Sequence, residues 1–287
     1  MGEQPRALHG RVVAITGGAQ GIGAATAAML AAAGARVAIG DLDGRRAEKT
    51  AAEIGHGVLA IRLDVTDAAG FTGFLDRVEN ELGPLDVLLN NAGIMPLAGL
   101  DDEQDAATHR QLEINLRAVI HGTRQAVRRM RPRGRGHVVN IASMAGKAGF
   151  PGAATYCATK HGVVGFSESA RLELRGSGVD ISCVMPAVVR TELAVGLGES
   201  PAIKTVTAEQ VAGAIVGTLR HPRFDVYVPR SLDWAGRITR VLPRRAGEWI
   251  VRALGGDRIL TAGVGSPVRT EYEARAVESA PHVDHEA

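Results

Sequence analysis

Tyr156 and Lys160 stand four positions apart in the stretch TYCATKHG, residues 155–162. On a helix that spacing puts a phenol and an ammonium on one face, a turn apart. A free tyrosine titrates near ~10 and is a poor acid or base at neutral pH. A neighbouring cation stabilises the phenolate and pulls that value down. A phenol tuned in this way can pass a proton to or from a substrate oxygen. Ser143 precedes Tyr156 by 13 residues, in NIASMAG. Its hydroxyl can hydrogen-bond the oxygen of a reacting carbonyl or alcohol. Tyr-x-x-x-Lys also occurs by chance as an exposed helical pair, so its meaning depends on what else converges there.

A second chemical signal lies near the N-terminus. RVVAIT (11–16) runs into TGGAQGIG, Thr16 to Gly23, and then into a helical pattern. Such a turn aims backbone N–H groups and a helix N-terminus at a pyrophosphate. Gly17 permits the tight turn, and Gly21 and Gly23 permit close approach; Gln20 and Ile22 share the turn. Many glycine motifs are mere turns. Here an acidic residue, Asp41, follows Gly23 by 18 positions at the end of the next apolar run. A carboxylate there can accept hydrogen bonds from a ribose diol and repel a 2′-phosphate; its structural alternative is a helix cap. Leu42 follows it, while Arg45 and Arg46 read as a solvated helix face. Asp64 and Val65 end a third run, and NNAG, Asn90 to Gly93, ends a fourth. Asp64, Val65, Asn90, Asn91, Ala92 and Gly93 are therefore placed to line the same crevice.

The elements that must position these groups are legible. Strand-like runs fall at 11–16, 35–40, 58–63, 85–90, 137–142, 179–184 and 224–229. They are near-continuously apolar, as strands buried on both faces are. Helical patterns separate them at 21–33, 43–54, 67–82, 104–130, 154–175 and 207–220, the last opening on a capping box at Thr207 and Gln210. This alternation predicts an α/β fold, a doubly wound parallel sheet of seven strands, Rossmann-type, with right-handed crossovers. The expected organisation is a dinucleotide-binding catalytic domain over 1–230, a C-terminal helical extension over 231–260 and a polar tail over 261–287. Residues 186–206 read as a long loop.

The bulk composition agrees with one large α/β domain: 287 residues, 45% apolar, 22% charged, 36 glycines. A net charge of +2 argues neither for nor against nucleic acid, and no nucleic-acid motif is present. The two cysteines, Cys157 and Cys183, do not suggest a disulfide framework. The N-terminus lacks the layout of a signal peptide, so a cytoplasmic location is expected. Residues 12–35 carry no charge, but their five glycines, two threonines and glutamine fit strand, loop and helix better than a membrane span. The nine histidines include no H-x-x-x-H pair; His282 and His285 lie in the tail, and no metal is expected.

TGGAQGIG, NNAG, an asparagine in the following helix (Asn115 in LEINLRAV), then Ser143, Tyr156 and Lys160 together resemble the short-chain dehydrogenase/reductase family over residues 8–229. The resemblance implies an NAD-dependent oxidoreductase interconverting an alcohol and its ketone or aldehyde. It implies that Tyr156 transfers the proton, that Lys160 holds the nicotinamide ribose and tunes the phenol, and that Ser143 positions the substrate oxygen. Asn115 would anchor a water in a proton relay through the lysine. Asp41, with Leu42, Ala19 and Gln20 where basic residues mark NADP use, resembles the NAD pattern. After the sixth strand the family has Pro-Gly; this chain has Pro186 and Ala187, then Val189 and Thr191 placed for the carboxamide. The resemblance also implies a homodimer or homotetramer built on helices 104–130 and 154–175.

Two rivals share these features. A nucleotide-sugar epimerase or dehydratase carries Tyr-x-x-x-Lys, but with a TGxxGxxG spacing unlike Gly17, Gly21 and Gly23. A catalytically silent NAD sensor or scaffold would share the fold. A serine hydrolase is opposed, because NIASMAG is not a G-x-S-x-G elbow and His161 has no matching acid. The expected pocket walls are Ile94, Met95, Met144, Phe150, Val188 and Leu193, with Arg190 the nearby candidate for a substrate charge. They point to a hydrophobic alcohol or ketone. Finally, 220–255 holds eight arginines against three acidic residues. Trp234, Ile238, Val241 and Leu242, and then Trp249, Ile250, Ala253 and Leu254, form apolar helical faces. They either pack near the pocket or lie on an anionic membrane surface.

Overall fold

The computed structural model of the protein describes residues 4–198, 205–233, 245–246, 252 and 255–278. Seven strands form one parallel sheet: β1 (Val12–Thr16), β2 (Arg36–Asp41), β3 (Leu59–Arg62), β4 (Val87–Asn90), β5 (Gly136–Ile141), β6 (Val179–Pro186) and β7 (Asp225–Val228). Their order is β3-β2-β1-β4-β5-β6-β7. The crossover helices are α1 (Gly21–Ala32), α2 (Gly44–Ile54), α3 (Ala68–Leu82), α4 (Asp105–Leu112), α5 (Ala118–Met130), α6 (Ala154–Glu173) and α7 (Ala208–Arg220). Each strand and helix expected between residues 11 and 229 is present, with ends displaced by one or two residues and the helix over 104–130 divided.

Alternation along β1 builds both layers. All five residues of β1 are buried. Val13 and Ile15 face a core shared with Leu30 of α1, Ala47 of α2 and Ile215 of α7. Val12 and Ala14 face the opposite core, with Phe71 and Leu75 of α3 and Met130 of α5. A strand covered on both sides needs no polar face, which is why its sequence shows none. Local chemistry fixes the helix ends. Asp43 and Asp67 cap α2 and α3 through Arg46 N and Ala69 N. Thr207 and Gln210 form the reciprocal box that opens α7.

The helix expected over 104–130 is not continuous. Between α4 and α5 the chain makes a π turn, Glu113–Arg117, with Asn115 fully buried in it. A π turn inserts an extra residue and rotates the side chains that follow. α4 and α5 both pack against α6, so the two expected helical segments do lie side by side.

The polar tail expected from 261 onward is also corrected. α8 (Gly256–Thr261) falls in the extension expected to be helical, whereas α9 (Thr270–Glu278) lies within the expected tail and packs on α4. Ile259, Leu260, Arg269 and Ala276 are buried. The arginine at 269 interrupts the apolar spacing, and the sequence therefore reads as polar. The apolar faces from Trp234 to Leu242 and from Trp249 to Leu254, and His282 and His285, lie outside the described residues. Among the described residues no helix is long and apolar enough to cross a membrane.

A buried polar network ties the layers together beneath the site. Asn90 donates to Asn140 Oδ1 (2.8 Å), Thr123 donates to the same oxygen (3.3 Å), and Asn140 donates to Ser167 (2.9 Å). Asn90 thus points into the sheet–helix layer, not into the crevice where the NNAG reading put it. Asn140→Leu removes the shared partner of Asn90, Thr123 and Ser167, leaving Asn90 its bond to Thr123 (3.2 Å) and Ser167 its bond to Val163 O (2.7 Å), and a buried group short of a partner costs about 1–3 kcal/mol. We expect a loss of about 3 kcal/mol, read by denaturant unfolding at fixed protein concentration; a loss under about 1 kcal/mol refutes a role for the network in holding the layers.

Candidate active site

A cavity of about 1180 Å³ runs along the carboxyl edge of the sheet, from Asp41 to Tyr156 and on to the C-terminal segment. At one end the glycine turn and NNAG are locked together. Asn91 Nδ2 donates to the carbonyls of Thr16 (3.0 Å) and Gly17 (2.8 Å). Thr16 Oγ1 accepts from the backbone N–H groups of Asn91 (3.0 Å) and Ala92 (3.1 Å). Gly17 has φ +64, and a Cβ there would lie 2.8 Å from Ala92 Cα, so only glycine closes this turn. Gln20, Gly21 and Ile22 line the cavity, as do Ala92 and Gly93. Gly23 does not, contrary to its expected contact. A Cβ at that position would sit 2.2 Å from Gly17 O, so Gly23 lets α1 pack on the turn.

Asp41 and Leu42 line the cavity at the end of β2. The Asp41 carboxylate accepts from Ala19 N (3.0 Å) and Asp43 N (3.2 Å), one bond to each oxygen. One lone-pair site on each oxygen is left for a ligand. Burial raises its pKa from the ordinary carboxylate value. Asp64 accepts from Thr66 N and Oγ1 and lies 3.9 Å from Arg110; with Val65 it lines the same wall. Arg46 is exposed, in keeping with a solvated helix face, and also pairs with Glu192 across the cavity at 3.5 Å.

At the other end, Tyr156 and Lys160 share one face of α6, 7% and 4% exposed. Lys160 Nζ donates to Ile141 O at the end of β5 (3.0 Å) and sits 5.5 Å from the Tyr156 ring centroid. Ser143 Oγ accepts from Ala145 N (3.1 Å), which fixes the hydroxyl at the strand end, and it is hydrogen-bonded to Tyr156. Asn115 lies behind the cavity surface. Its Oδ1 accepts from Ile94 N and its Nδ2 donates to Ile94 O, both at 2.8 Å. A Cβ on Gly93 would lie 3.2 Å from Asn115 Oδ1 and 3.7 Å from Lys160 Nζ, so both groups face that glycine.

The expected direction of the Tyr156 pKa is corrected. Burial pushes it up, and the Ser143 hydrogen bond only partly opposes this. Lys160 does not draw the phenol down here because its ammonium is turned to Ile141 O, and burial lowers its own pKa to about 8.

The loop after β6 closes the cavity. Pro186, Val189 and Thr191 line it. Thr191 Cγ2 would stand 3.2 Å from a Cβ at Gly21, so the loop meets the glycine turn directly. Ala187, where the family has glycine, donates its N–H to Val228 O (2.8 Å), and the backbone follows a regular ladder there. Arg190 is exposed, bonds Thr205 Oγ1 and is absent from the lining, which removes it as a receptor for substrate charge. Ile94, Met95, Met144, Phe150, Val188 and Leu193 all line the cavity. The sequence missed their partners Ile259, Leu260 and Tyr272, which come from the segment read as extension and tail.

This slot fits a dinucleotide. A glycine turn with backbone N–H groups occupies one end, a carboxylate with two open acceptor sites flanks it, and a buried ammonium with one bond lies at the other.

Residues 11–202 match the family profile described as short chain dehydrogenase. The chain is 40% identical over 228 residues to a cis-4-hydroxycyclohexanecarboxylate dehydrogenase of Sinomonas cyclohexanicum, covering 77% of this chain and 87% of that one. It is 37% identical over 186 residues to a 3-alpha-(or 20-beta)-hydroxysteroid dehydrogenase of Mycobacterium tuberculosis, covering 65% and 72%. A crystal structure of a short chain dehydrogenase/reductase from Burkholderia phymatum in complex with NAD superposes with a TM-score of 0.75 at 24% identity, over 82% of this chain and 94% of that one. On the profile match and these identities, the chain belongs to the short-chain dehydrogenase family of NAD(P)-linked oxidoreductases.

Proposed function

We propose that the protein is an NAD-dependent dehydrogenase that interconverts a hydrophobic secondary alcohol and its ketone, with Tyr156 as the general acid/base. The observation that carries this is one continuous cavity holding the glycine turn and Asp41 at one end and Ser143, Tyr156 and Lys160 at the other. Bound in it, NAD(P) supplies the hydride acceptor or donor and, when oxidised, a positively charged ring.

Each role follows from what the side chain can still do. Ser143 Oγ, held by Ala145 N, orients the substrate oxygen. Tyr156 takes the proton from an alcohol or gives it to a ketone. In the resting protein burial keeps the phenol protonated. Taking a proton at neutral pH therefore needs positive charge beside it beyond what Lys160 supplies in the resting protein. Lys160 has one bond, to Ile141 O, which leaves N–H groups for ribose hydroxyls. Asn115 and Lys160 both face Gly93, which suits a relay of the proton away from the phenol. Gly17, Gln20, Gly21 and Ile22 would hold the pyrophosphate, Asp41 and Leu42 the ribose, and Asp64 and Val65 the adenine. Asn91, Ala92 and Gly93 would lie along the middle, and Pro186, Val189 and Thr191 on the carboxamide.

The walls at the chemical end are mainly apolar: Met95, Met144, Phe150, Val188 and Leu193, packed with Ile259 and Leu260. The relatives named above act on hydroxyl groups of cyclic bodies, which supports a hydrophobic cyclic alcohol. The test is reduction of NAD, followed at the nicotinamide absorbance band, across steroid, alicyclic and long-chain alcohols. No turnover with any of them refutes the reading.

Tyr156→Phe keeps the ring and loses the proton. We expect kcat to fall by about 10³-fold, within the usual range for a lost acid/base, while NADH still binds. Lys160→Ala should weaken both turnover and binding. Substantial activity in Tyr156→Phe would overturn the mechanism.

We propose NAD over NADP from Asp41, whose open lone pairs suit a ribose diol and whose charge opposes a 2′-phosphate. Asp41→Ala with Leu42→Arg should reverse the preference, measured as the ratio of kcat/KM values. A wild-type protein that binds NADPH more tightly than NADH sinks the assignment.

We further propose a homodimer or homotetramer. Leu112 on α4 and Leu172 on α6 are 40% and 51% exposed, on the two helices expected to pair with their copies. Light scattering at micromolar concentration should report an oligomer, and a monomer would contradict it.

A further inference from the structure

The last described helix enters the pocket in a way the family resemblance does not cover. Tyr272, on α9, lines the cavity together with Tyr156 and Met95. Arg269, one turn earlier, is fully buried and holds this ring in place. Its guanidinium lies 5.0 Å from the Tyr272 centroid. It donates to the carbonyls of Leu193 (3.1 Å), Val195 (2.7 Å) and Met95 (2.6 Å), and its Nε donates to Glu273 (3.0 Å). Arg269 and Met95 N thus anchor the Tyr272 ring and its hydroxyl.

The hydroxyl chemistry is half used. Tyr272 Oη accepts from Met95 N (2.9 Å). A phenol also carries one proton to donate. Met95 N is itself a donor, so that bond leaves the Tyr272 proton uncommitted, and it meets no acceptor among the described residues. Dense surroundings push the Tyr272 pKa up to about 12, so the proton stays on at neutral pH. The ring is nonetheless only partly buried, and it borders the cavity. It is also close enough to Tyr156 to raise that residue's pKa. The lining it shares includes apolar Ile259, Leu260, Leu197 and Ala276, with the charges of Glu192 and Arg275 committed to one another. A fixed donor in an apolar pocket selects for a ligand acceptor, because an unmet donor is costly once water is excluded.

We propose that Tyr272 is a specificity-determining residue, which donates a hydrogen bond to a second oxygen of the substrate, separated by an apolar body from the oxygen handled by Tyr156. The substrate class is then an alcohol or ketone with an acceptor oxygen at its far end. This rests on the dehydrogenase reading above, whose failure the test reports separately.

The test compares matched alcohols that differ only in an acceptor oxygen: cyclohexanol with 4-methoxycyclohexanol, and 5α-androstan-3α-ol with 3α-hydroxy-5α-androstan-17-one. For each, kcat/KM is measured with NAD for wild type and Tyr272→Phe. In parallel, the Kd of each on the NADH-bound enzyme is read by nicotinamide fluorescence. Wild type should prefer the two-oxygen member of at least one pair by about tenfold, and Tyr272→Phe should bring that ratio near one. Phenylalanine also frees Met95 N, so general damage to the wall is possible, but that lowers both members alike and leaves the ratio standing. A ratio near one in wild type, or a ratio that survives Tyr272→Phe, overturns the proposal while leaving the dehydrogenase reading intact. Absence of both turnover and binding for all four alcohols overturns the two together.

Discussion

The molecule must keep a single ammonium, that of Lys160, almost entirely out of water. Only 4% of the residue is exposed, and burial draws its pKa down to about 8. No carboxylate pairs with it among the described residues; its hydrogen bond goes to the carbonyl of Ile141. A buried charge without a counterion is expensive, so the groups around it must be placed with little freedom. Ile141 ends β5, Gly93 ends the chain segment after β4, and Asn115 comes from the π turn between α4 and α5. Three separate elements meet where Lys160 Nζ and Asn115 Oδ1 both face Gly93. The parallel sheet makes this possible, since every strand delivers its carboxyl end to the same edge.

The same constraint explains the crevice. With the order β3-β2-β1-β4-β5-β6-β7, the chain turns one way from β1 and the other way from β4. β1 and β4 are hydrogen-bonded neighbours, yet their following segments leave in opposite directions, which opens a slot between them. Thr16, Gly17, Asn91 and Ala92 are stitched across that slot by four hydrogen bonds. The glycine turn is therefore rigid before any ligand arrives. Rigidity there is useful, because backbone N–H groups bind anions well only when they need not reorganise.

Most of this was legible in the sequence because it depends on local rules. Continuous apolar runs give buried strands, and Asp or Thr before a helix gives a cap. Tyr156 and Lys160 needed only the spacing of one helical turn. The π turn at Asn115 was not legible: LEINLRAV has ordinary helical composition, and the extra residue is selected by tertiary contact with Ile94 and Thr159. The direction of the Tyr156 pKa was missed for a related reason. Spacing says that a cation lies nearby, but not that it is turned to Ile141 O or how far the phenol is desolvated. Asn90 and Asn91 are adjacent in sequence and face opposite ways because successive strand residues do, and the motif NNAG hides that difference.

The C-terminal segment shows the limit of pattern reading most plainly. Hydrophobic periodicity finds helices that bury an apolar stripe, and α9 does not work that way. It is held by a buried arginine whose donors reach Met95 on one wall of the pocket and Leu193 and Val195 on the other. Glu192, next to that loop, meets Arg275 of α9 and Arg46 of α2, and is hydrogen-bonded by Gln20 of the glycine turn. Burial alone would raise the Glu192 pKa, but the hydrogen bonds from Gln20 and Arg275 outweigh it and hold the carboxylate ionised. So the loop after β6 is tied on one side to the nucleotide end and on the other to the segment that carries Tyr272. Polar groups achieve this where apolar contacts could not, since a planar guanidinium can satisfy several fixed carbonyls at once. Such a contact is all-or-none in geometry. A shorter side chain would leave backbone acceptors buried and unpaired, and the two walls would lose their fixed separation. The wall at this end of the cavity is therefore held by charge-assisted bonds that join three distant stretches of chain, around Met95, Leu193 and Arg269, while the Tyr156–Lys160 pair at the other end is placed by one helical turn.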